Sequence, residues 1–150
     1  MNYWLMKSEP DEFSIDDLAR KKSEPWSGVR NYQARNYMRD GMRAGDGIFF
    51  YHSSCPEPGI VGIASVGSAA YPDPTQFDPR SDYFDAKSSR TAPRWFLIDV
   101  KFKRKLKRII GLADLKARPE LRELALVKPG NRLSVLPVTK AQWDFILGLE

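Results

Sequence analysis

One cysteine, Cys55, and one histidine, His52, are present in 150 residues. An intramolecular disulfide is therefore excluded, and so is a zinc site assembled from several Cys and His ligands. The carboxylates show no calcium-loop spacing. No apolar run approaches the ~20 residues that a membrane span requires. Met1 leads directly into Tyr3-Trp4-Leu5-Met6, without a basic n-region or a long apolar h-region. Neither a membrane span nor a secretory signal is expected, and the expected location is the cytoplasm of a bacterial-type cell. Neither Gly-x-Gly-x-x-Gly nor the P-loop pattern occurs, which argues against a nucleotide-driven enzyme, and no cofactor is expected.

What is present is a composition suited to one folded unit, with 42% apolar, 12% aromatic and 29% charged residues. The length fits a single domain over residues 1–150 whose core needs no covalent staple. The net charge is +5, with 24 Lys and Arg against 19 Asp and Glu. Six of those positive charges lie in Lys101-Phe102-Lys103-Arg104-Lys105-Leu106-Lys107-Arg108; without them the balance is 18 against 19. A concentrated basic segment on a near-neutral body suits a polyanion such as nucleic acid. It equally suits a solvated sheet edge protected by lysines.

Tyr3 to Lys7 reads as a first strand stopped by Ser8-Glu9-Pro10. Ser14 with Asp17 three residues on forms a capping box that opens a helix from about Ile15 to Arg20. A second helix is expected over Asn31–Arg39, with Ala34, Tyr37 and Met38 on one face. Ile48-Phe49-Phe50-Tyr51 suits a buried strand, followed by a glycine-interrupted strand from Ile60 to Val66. Residues 71–94 form a proline- and aspartate-rich excursion carrying Tyr71, Phe77, Tyr83 and Phe84. Trp95 to Lys103 alternates, with Phe96, Ile98, Val100 and Phe102 facing one way and Trp95 the other. Short helical turns at 111–117 and 119–126 precede a late strand, Leu133 to Leu136, that stops before Pro137. Thr139 with Gln142 caps the last helix. Strands outnumber long helices and lack regular crossovers, so the expected fold is α+β, a small partly closed barrel.

Catalytic patterns are thin. Gly62-Ile63-Ala64-Ser65-Val66-Gly67 is one residue too long for a nucleophile elbow, and Ser65 is expected within a strand. His52, at a strand end, suits a cleft-facing role and a structural role alike. The stronger constellation combines Trp26, Tyr32 and Trp95 with Arg30, Asn31, Arg35, Asn36, Lys87 and Arg94. Aromatic faces hold a planar base, polar groups read its edge, and arginines take the adjoining phosphates. Tryptophans are commonly core residues. Two positions favour a pocket: Trp95 lies opposite the apolar face of its strand, and Trp26 lies in a Ser-Gly loop.

Several segments resemble the EVE domain family. They are Tyr3-Trp4-Leu5-Met6-Lys7-Ser8-Glu9-Pro10, Trp26-Ser27-Gly28-Val29-Arg30-Asn31-Tyr32-Gln33-Ala34-Arg35-Asn36 and Phe49-Phe50-Tyr51-His52-Ser53. Tyr83-Phe84-Asp85-Ala86-Lys87-Ser88, Pro93-Arg94-Trp95 and Leu126-Val127-Lys128-Pro129-Gly130-Asn131-Arg132-Leu133-Ser134-Val135 continue the match. The resemblance implies a PUA-like pseudo β-barrel of about five to seven mostly antiparallel strands flanked by short helices, related to YTH and ASCH domains. It also implies a non-catalytic module that binds DNA or RNA and takes a modified base, such as a modified cytosine, into an aromatic pocket. Carried over by position, Ser8, Glu9, Trp26, Val29, Asn31, Tyr32, His52, Ser53 and Trp95 would form that pocket. Phosphate contacts are expected from Arg30, Arg35, Lys87 and Arg94, and from Lys101, Lys103, Arg104 and Lys105 in the basic run. A separate effector protein would supply the output. Two alternatives stand beside this reading: a small enzyme using His52 and a loop carboxylate on a modified nucleotide or RNA, and a pocket for a small anionic metabolite.

Overall fold

The computed structural model describes residues 1–150. Its strands are β1 (Tyr3–Ser8), β2 (Ser23–Pro25), β3 (Gly47–His52), β4 (Gly59–Val66), β5 (Tyr71–Pro72), β6 (Phe96–Leu97), β7 (Asp99–Gly111) and β8 (Val135–Val138). Its α-helices are α1 (Ile15–Lys21), α2 (Tyr32–Asn36), α3 (Leu112–Lys116) and α4 (Lys140–Leu147). Six strands form one mixed sheet in the order β2-β7-β4-β3-β1-β8, and β5 pairs with β6 alone. Every pairing is antiparallel except β1 with β3. This is the expected α+β half-barrel.

The continuous apolar run of β3 reflects burial on both faces. Ile48 and Phe50 pack into one cluster with Trp4, Met6, Leu18 and Trp26. Phe49 and Tyr51 pack into the other with Leu5, Leu136 and Trp143. Curl comes from breaks in register. Between the pairs Ile60↔Ile110 and Gly62↔Lys105, β4 advances two residues while β7 advances five. A second shift lies between Ile63 and Ala64. Extra residues on one strand bend the sheet and raise its twist.

These bulges also correct the reading of the basic run. β7 extends to Gly111, well past the expected end at Lys103. Phe102 packs on the Trp26 side of the sheet, whereas Leu106 and Ile110 lie on the other side. Alternation is thus broken, and the cations of 101–108 do not share one face. Arg104 pairs with Glu150 at 2.7 Å, Lys105 with Asp16 at 2.7 Å and Arg108 with Asp114 at 3.5 Å.

Both capping boxes form as expected, Ser14 with Asp17 and Thr139 with Gln142. The second helix is shorter than expected: α2 ends at Asn36 and the chain widens into a π turn, Tyr37–Gly41. That turn lays Gly41 against the Trp4 indole, where a Cβ would come within 2.8 Å of the ring. The late strand also differs, because β8 includes Pro137. It is an edge strand, where a missing N–H breaks no ladder. No helix is long and apolar enough to cross a membrane.

Two local devices secure the opposite ends of the β1–β3 pair, Asp46 where the strands begin and His52 where they end. Asp46 is buried and accepts from the Asn2 amide at 3.0 Å, the Trp4 indole at 3.1 Å and the Arg43 amide at 2.9 Å. His52 Nε2 accepts from the Ile15 amide at 3.1 Å, one of the otherwise unpaired donors opening α1. Burial lowers the His52 pKa below its ordinary 6.5, against a weaker upward pull from Asp16.

Two outcomes follow. Asp46→Ala leaves three donors without their acceptor and is expected to lower unfolding free energy by ~3 kcal/mol or more in urea titration. His52 is neutral when folded and takes a proton more readily when unfolded. Its contribution is therefore complete above pH 6.5 and falls as pH drops from there toward the lowered folded value. His52→Gln is expected to flatten that segment of the stability–pH curve, measured by thermal melts between pH 5 and 8.

Candidate nucleic-acid-binding cleft

Because β1 and β3 are parallel, both deliver their C-terminal ends to the same side, in register Ser8↔His52. The Ser53 amide donates to the Ser8 carbonyl at 3.0 Å, and the Lys7 amide to the Ser134 carbonyl at 2.9 Å. The segments after β1, after β3 and before β8 therefore meet. Trp26 arrives from the end of β2, its amide donating to the Ile98 carbonyl at 3.0 Å. Between these segments lies a cleft of about 590 Å³, within the usual range for small-molecule sites. It is lined by Lys7, Ser8, Glu9, Glu12 and Phe13, by the 24–30 segment, by Ser53 and Ser54, and by Tyr83, Arg132 and Ser134.

Trp26 is the aromatic floor. Its ring meets Phe13 edge-on at 6.0 Å and Phe50 edge-on at 5.6 Å, and only 9% of the residue is exposed. Its indole N–H has no acceptor in the chain and is open to the cleft. Tyr83 forms a wall, packed so closely on Gly28 that a Cβ there would lie 2.6 Å from its ring. Gly28 has φ +90, a second reason for glycine at this position. Ser54 has φ 53, uncommon for a residue other than glycine.

The Tyr83 wall is braced by Asp73, which is fully buried. Its carboxylate accepts from the Gly28 amide at 2.8 Å, Arg30 at 3.1 Å, the Thr75 amide at 2.8 Å and the Thr75 hydroxyl at 2.5 Å. Burial pushes the Asp73 pKa up, and these hydrogen bonds overcome it, so the group lies below the usual carboxylate range. Gln76, also buried, donates to the Asp73 and Trp95 carbonyls and accepts from the Arg94 and Trp95 amides.

The structure brings together Ser8, Glu9, Trp26, Val29 and Ser53 of the expected pocket, and leaves four residues outside the cleft. Trp95 is 5% exposed, stacked on Tyr32 at 4.7 Å, with its indole N–H on Asp85 at 2.7 Å. With Tyr32 stacked on it, the Arg30 guanidinium 5.3 Å from its ring and its donor taken, it supports the excursion instead of offering a stacking surface. Tyr32 stacks on Trp95, and the Arg35 guanidinium lies over both rings, 4.7 Å from Tyr32 and 5.9 Å from Trp95. Asn31 is the N-cap of α2, accepting from the Ala34 amide at 3.0 Å. His52 caps α1.

Arg30 lines the cleft, yet all five of its N–H groups are committed. They reach the Tyr83 carbonyl twice, the Val29 carbonyl, Asp73 and the Thr75 hydroxyl. It is a brace, not a free phosphate ligand. Arg35 donates to the Arg94 carbonyl at 2.6 Å, Arg94 sits 3.9 Å from Asp85, and the Lys87 amide donates to Asp85 at 2.9 Å. None of Lys101, Lys103, Arg104 and Lys105 lines the cleft. The cations that do line it without an ion pair are Lys7 and Arg132. Burial lowers the Lys7 pKa. Neither was singled out from the sequence, and nor were Phe13, Tyr83 or Asp73; Lys7, Tyr83 and Arg132 do lie in the quoted family segments.

An EVE domain family model matches residues 2–149. The human protein named thymocyte nuclear protein 1 is 42% identical over 168 aligned residues, covering 99% of this chain and 74% of that protein. A solved Pseudomonas putida protein superposes with a TM-score of 0.95 at 55% identity over 98% of each chain. Human THYN1 protein, crystallised in complex with 5-methylcytosine-containing DNA, superposes with a TM-score of 0.91 at 41% identity, over 99% of this chain and 97% of that one. This chain belongs to the EVE domain family.

Proposed function

We propose that the chain is a reader of modified bases, which takes a 5-methylcytosine of DNA, turned out of its strand, into the Trp26 cleft. The observation that carries this is the Trp26 indole: about nine-tenths buried, with an unused N–H directed into a cleft of nucleoside size. A flipped base would stack between aromatic side chains and meet polar groups at its edge. The DNA complex of the human relative, 41% identical over nearly the whole chain, supports the same ligand class.

Lys7 and Arg132 replace Arg30 as the cleft's phosphate contacts in this reading, since neither is held in an ion pair. The enzyme alternative asked His52 to act as acid or base. Its Nε2 is occupied as an acceptor by the Ile15 amide, so the geometry favours the reader.

Intrinsic tryptophan fluorescence, titrated with oligonucleotides holding cytosine, 5-methylcytosine or N6-methyladenine in DNA and RNA, tests the proposal at two salt concentrations. A preference for 5-methylcytosine DNA that survives high salt is expected. Equal affinity for all of them, lost with salt, would overturn it. Trp26→Ala should cost about 1–3 kcal/mol of binding through lost stacking. Trp26→Phe, which keeps an aromatic in the core, should retain the fold while losing the part that depends on the N–H. Lys7→Gln and Arg132→Gln should each lower the slope of log affinity against log salt by about 1 without changing the base preference.

A further inference from the structure

The cleft sets three carboxylates among its three cations, although its proposed ligand is a polyanion. Glu9, Glu12 and Glu24 all line it, and a polyanion approaching them meets repulsion. Glu24 is neutralised by Lys21. The side chains of Glu9 and Glu12 accept from no donor in the chain, and both are exposed. Of the two, only Glu9 adjoins a strand end. Position 9 follows β1 directly: the Ser8 carbonyl is bound by the Ser53 amide at 3.0 Å, and the Glu9 carbonyl accepts from the Glu12 amide at 3.0 Å and the Phe13 amide at 2.9 Å. Glu9 is thus fixed on the same rim as Ser8 and Ser53, across the cleft floored by Trp26.

A carboxylate is only an acceptor, and the Trp26 indole is only a donor. Cytosine offers the matching pattern, an exocyclic N4 amino donor beside the N3 and O2 acceptors. Thymine, which shares the 5-methyl group of 5-methylcytosine, presents O4, an acceptor, in place of the amino group. An aromatic floor does not distinguish these two bases. A carboxylate facing the 4-position does, because it accepts from N4–H and repels O4, while thymine's one donor, N3–H, is offset from that position. This gives the negative charge a use that offsets its cost against DNA.

We propose that Glu9 is the residue that selects cytosine bases over thymine in the cleft, by accepting a hydrogen bond from the exocyclic amino group. The assignment rests on the reader function above and adds its base selectivity.

The test measures the affinities of single-stranded DNA oligonucleotides identical except for one central base: cytosine, 5-methylcytosine or thymine. The intact wild-type chain is compared with Glu9→Gln and Glu12→Gln. Wild type is expected to prefer 5-methylcytosine over thymine by tenfold or more. Glu9→Gln, whose amide can present a donor to O4, should lose most of that preference with an unchanged melting temperature, because the exposed Glu9 side chain makes no hydrogen bond or ion pair in the fold. Its preference for 5-methylcytosine over cytosine should remain. Glu12→Gln should keep both preferences. An unchanged ratio of 5-methylcytosine to thymine in Glu9→Gln, or its loss in Glu12→Gln instead, would overturn the assignment while leaving the reader intact. Absence of any base preference in the wild type would overturn the reader itself.

Discussion

A single buried carboxylate holds the cleft in shape. Asp73 joins the 26–30 segment to the excursion at 71–94, and it has no exposed surface. A buried charge is tolerated only with a full set of donors, and Asp73 receives four hydrogen bonds from Gly28, Arg30 and Thr75. Arg30, fixed by that carboxylate, in turn holds the Tyr83 carbonyl with two N–H groups. Tyr83 then lies on Gly28 and lines the cleft along with Trp26. Removing one member of such a network strands the others, at roughly 3–5 kcal/mol for an unpaired buried charge. Much of the wall is therefore built from polar groups that never touch a ligand.

The same arrangement explains which parts of the site were legible in the sequence. Helix starts were legible because capping is local: Ser14 with Asp17 and Thr139 with Gln142 act within one turn. The core strands were legible because their apolar residues are contiguous. The motif at Lys7-Ser8-Glu9-Pro10 and the Trp26 loop marked the cleft because their residues carry it in person. Trp95 misled because regular alternation was extended across a break. β6 stops at Leu97 and β7 begins at Asp99, so Trp95 belongs to the excursion and packs beneath Tyr32. Arg30 misled in a similar way. Nothing near it in sequence shows that Asp73, 43 positions on, is its partner.

The basic run is a lesson in how charge density along a chain differs from charge density on a surface. Six cations lie within eight residues. Strand alternation already sets Arg104 and Arg108 apart from the four lysines, bulges in β7 scatter them further, and Asp16, Asp114 and Glu150 pair with Lys105, Arg108 and Arg104. The Glu150 carboxyl is lowered to about 2, first by its hydrogen bonds from Arg104 and then by that from the Lys107 amide. The C-terminal residues also cover part of the strand edge, with Arg108 donating to the Leu149 carbonyl. The sheet-edge reading of this run thus describes much of what it does. By contrast, Lys7 and Arg132, isolated in sequence, meet at the cleft with neither held in an ion pair.

The mixed sheet is what makes such a meeting geometrically available. Had β1 and β3 paired antiparallel, their C-terminal ends would lie on opposite sides, and the segments after them would be a strand length apart. The parallel pairing of β1 with β3 brings both C-terminal ends to one side, and antiparallel β8 starts there. Ser8 and Glu9, Ser53 and Ser54, and Ser134 thereby come from three distant segments to a single rim. Ser8, Glu9, Ser53 and Ser134 are anchored by backbone hydrogen bonds at strand ends, so their polar groups are offered to a ligand without ordering a loop on binding. Reading the edge of a base demands this of the protein. Donors and acceptors misplaced by an ångström discriminate poorly, and a floor such as Trp26 supplies affinity for any planar ring but no choice among them. Affinity from the buried aromatic floor and choice from the rigid rim are separable in this fold, because they arise from different elements.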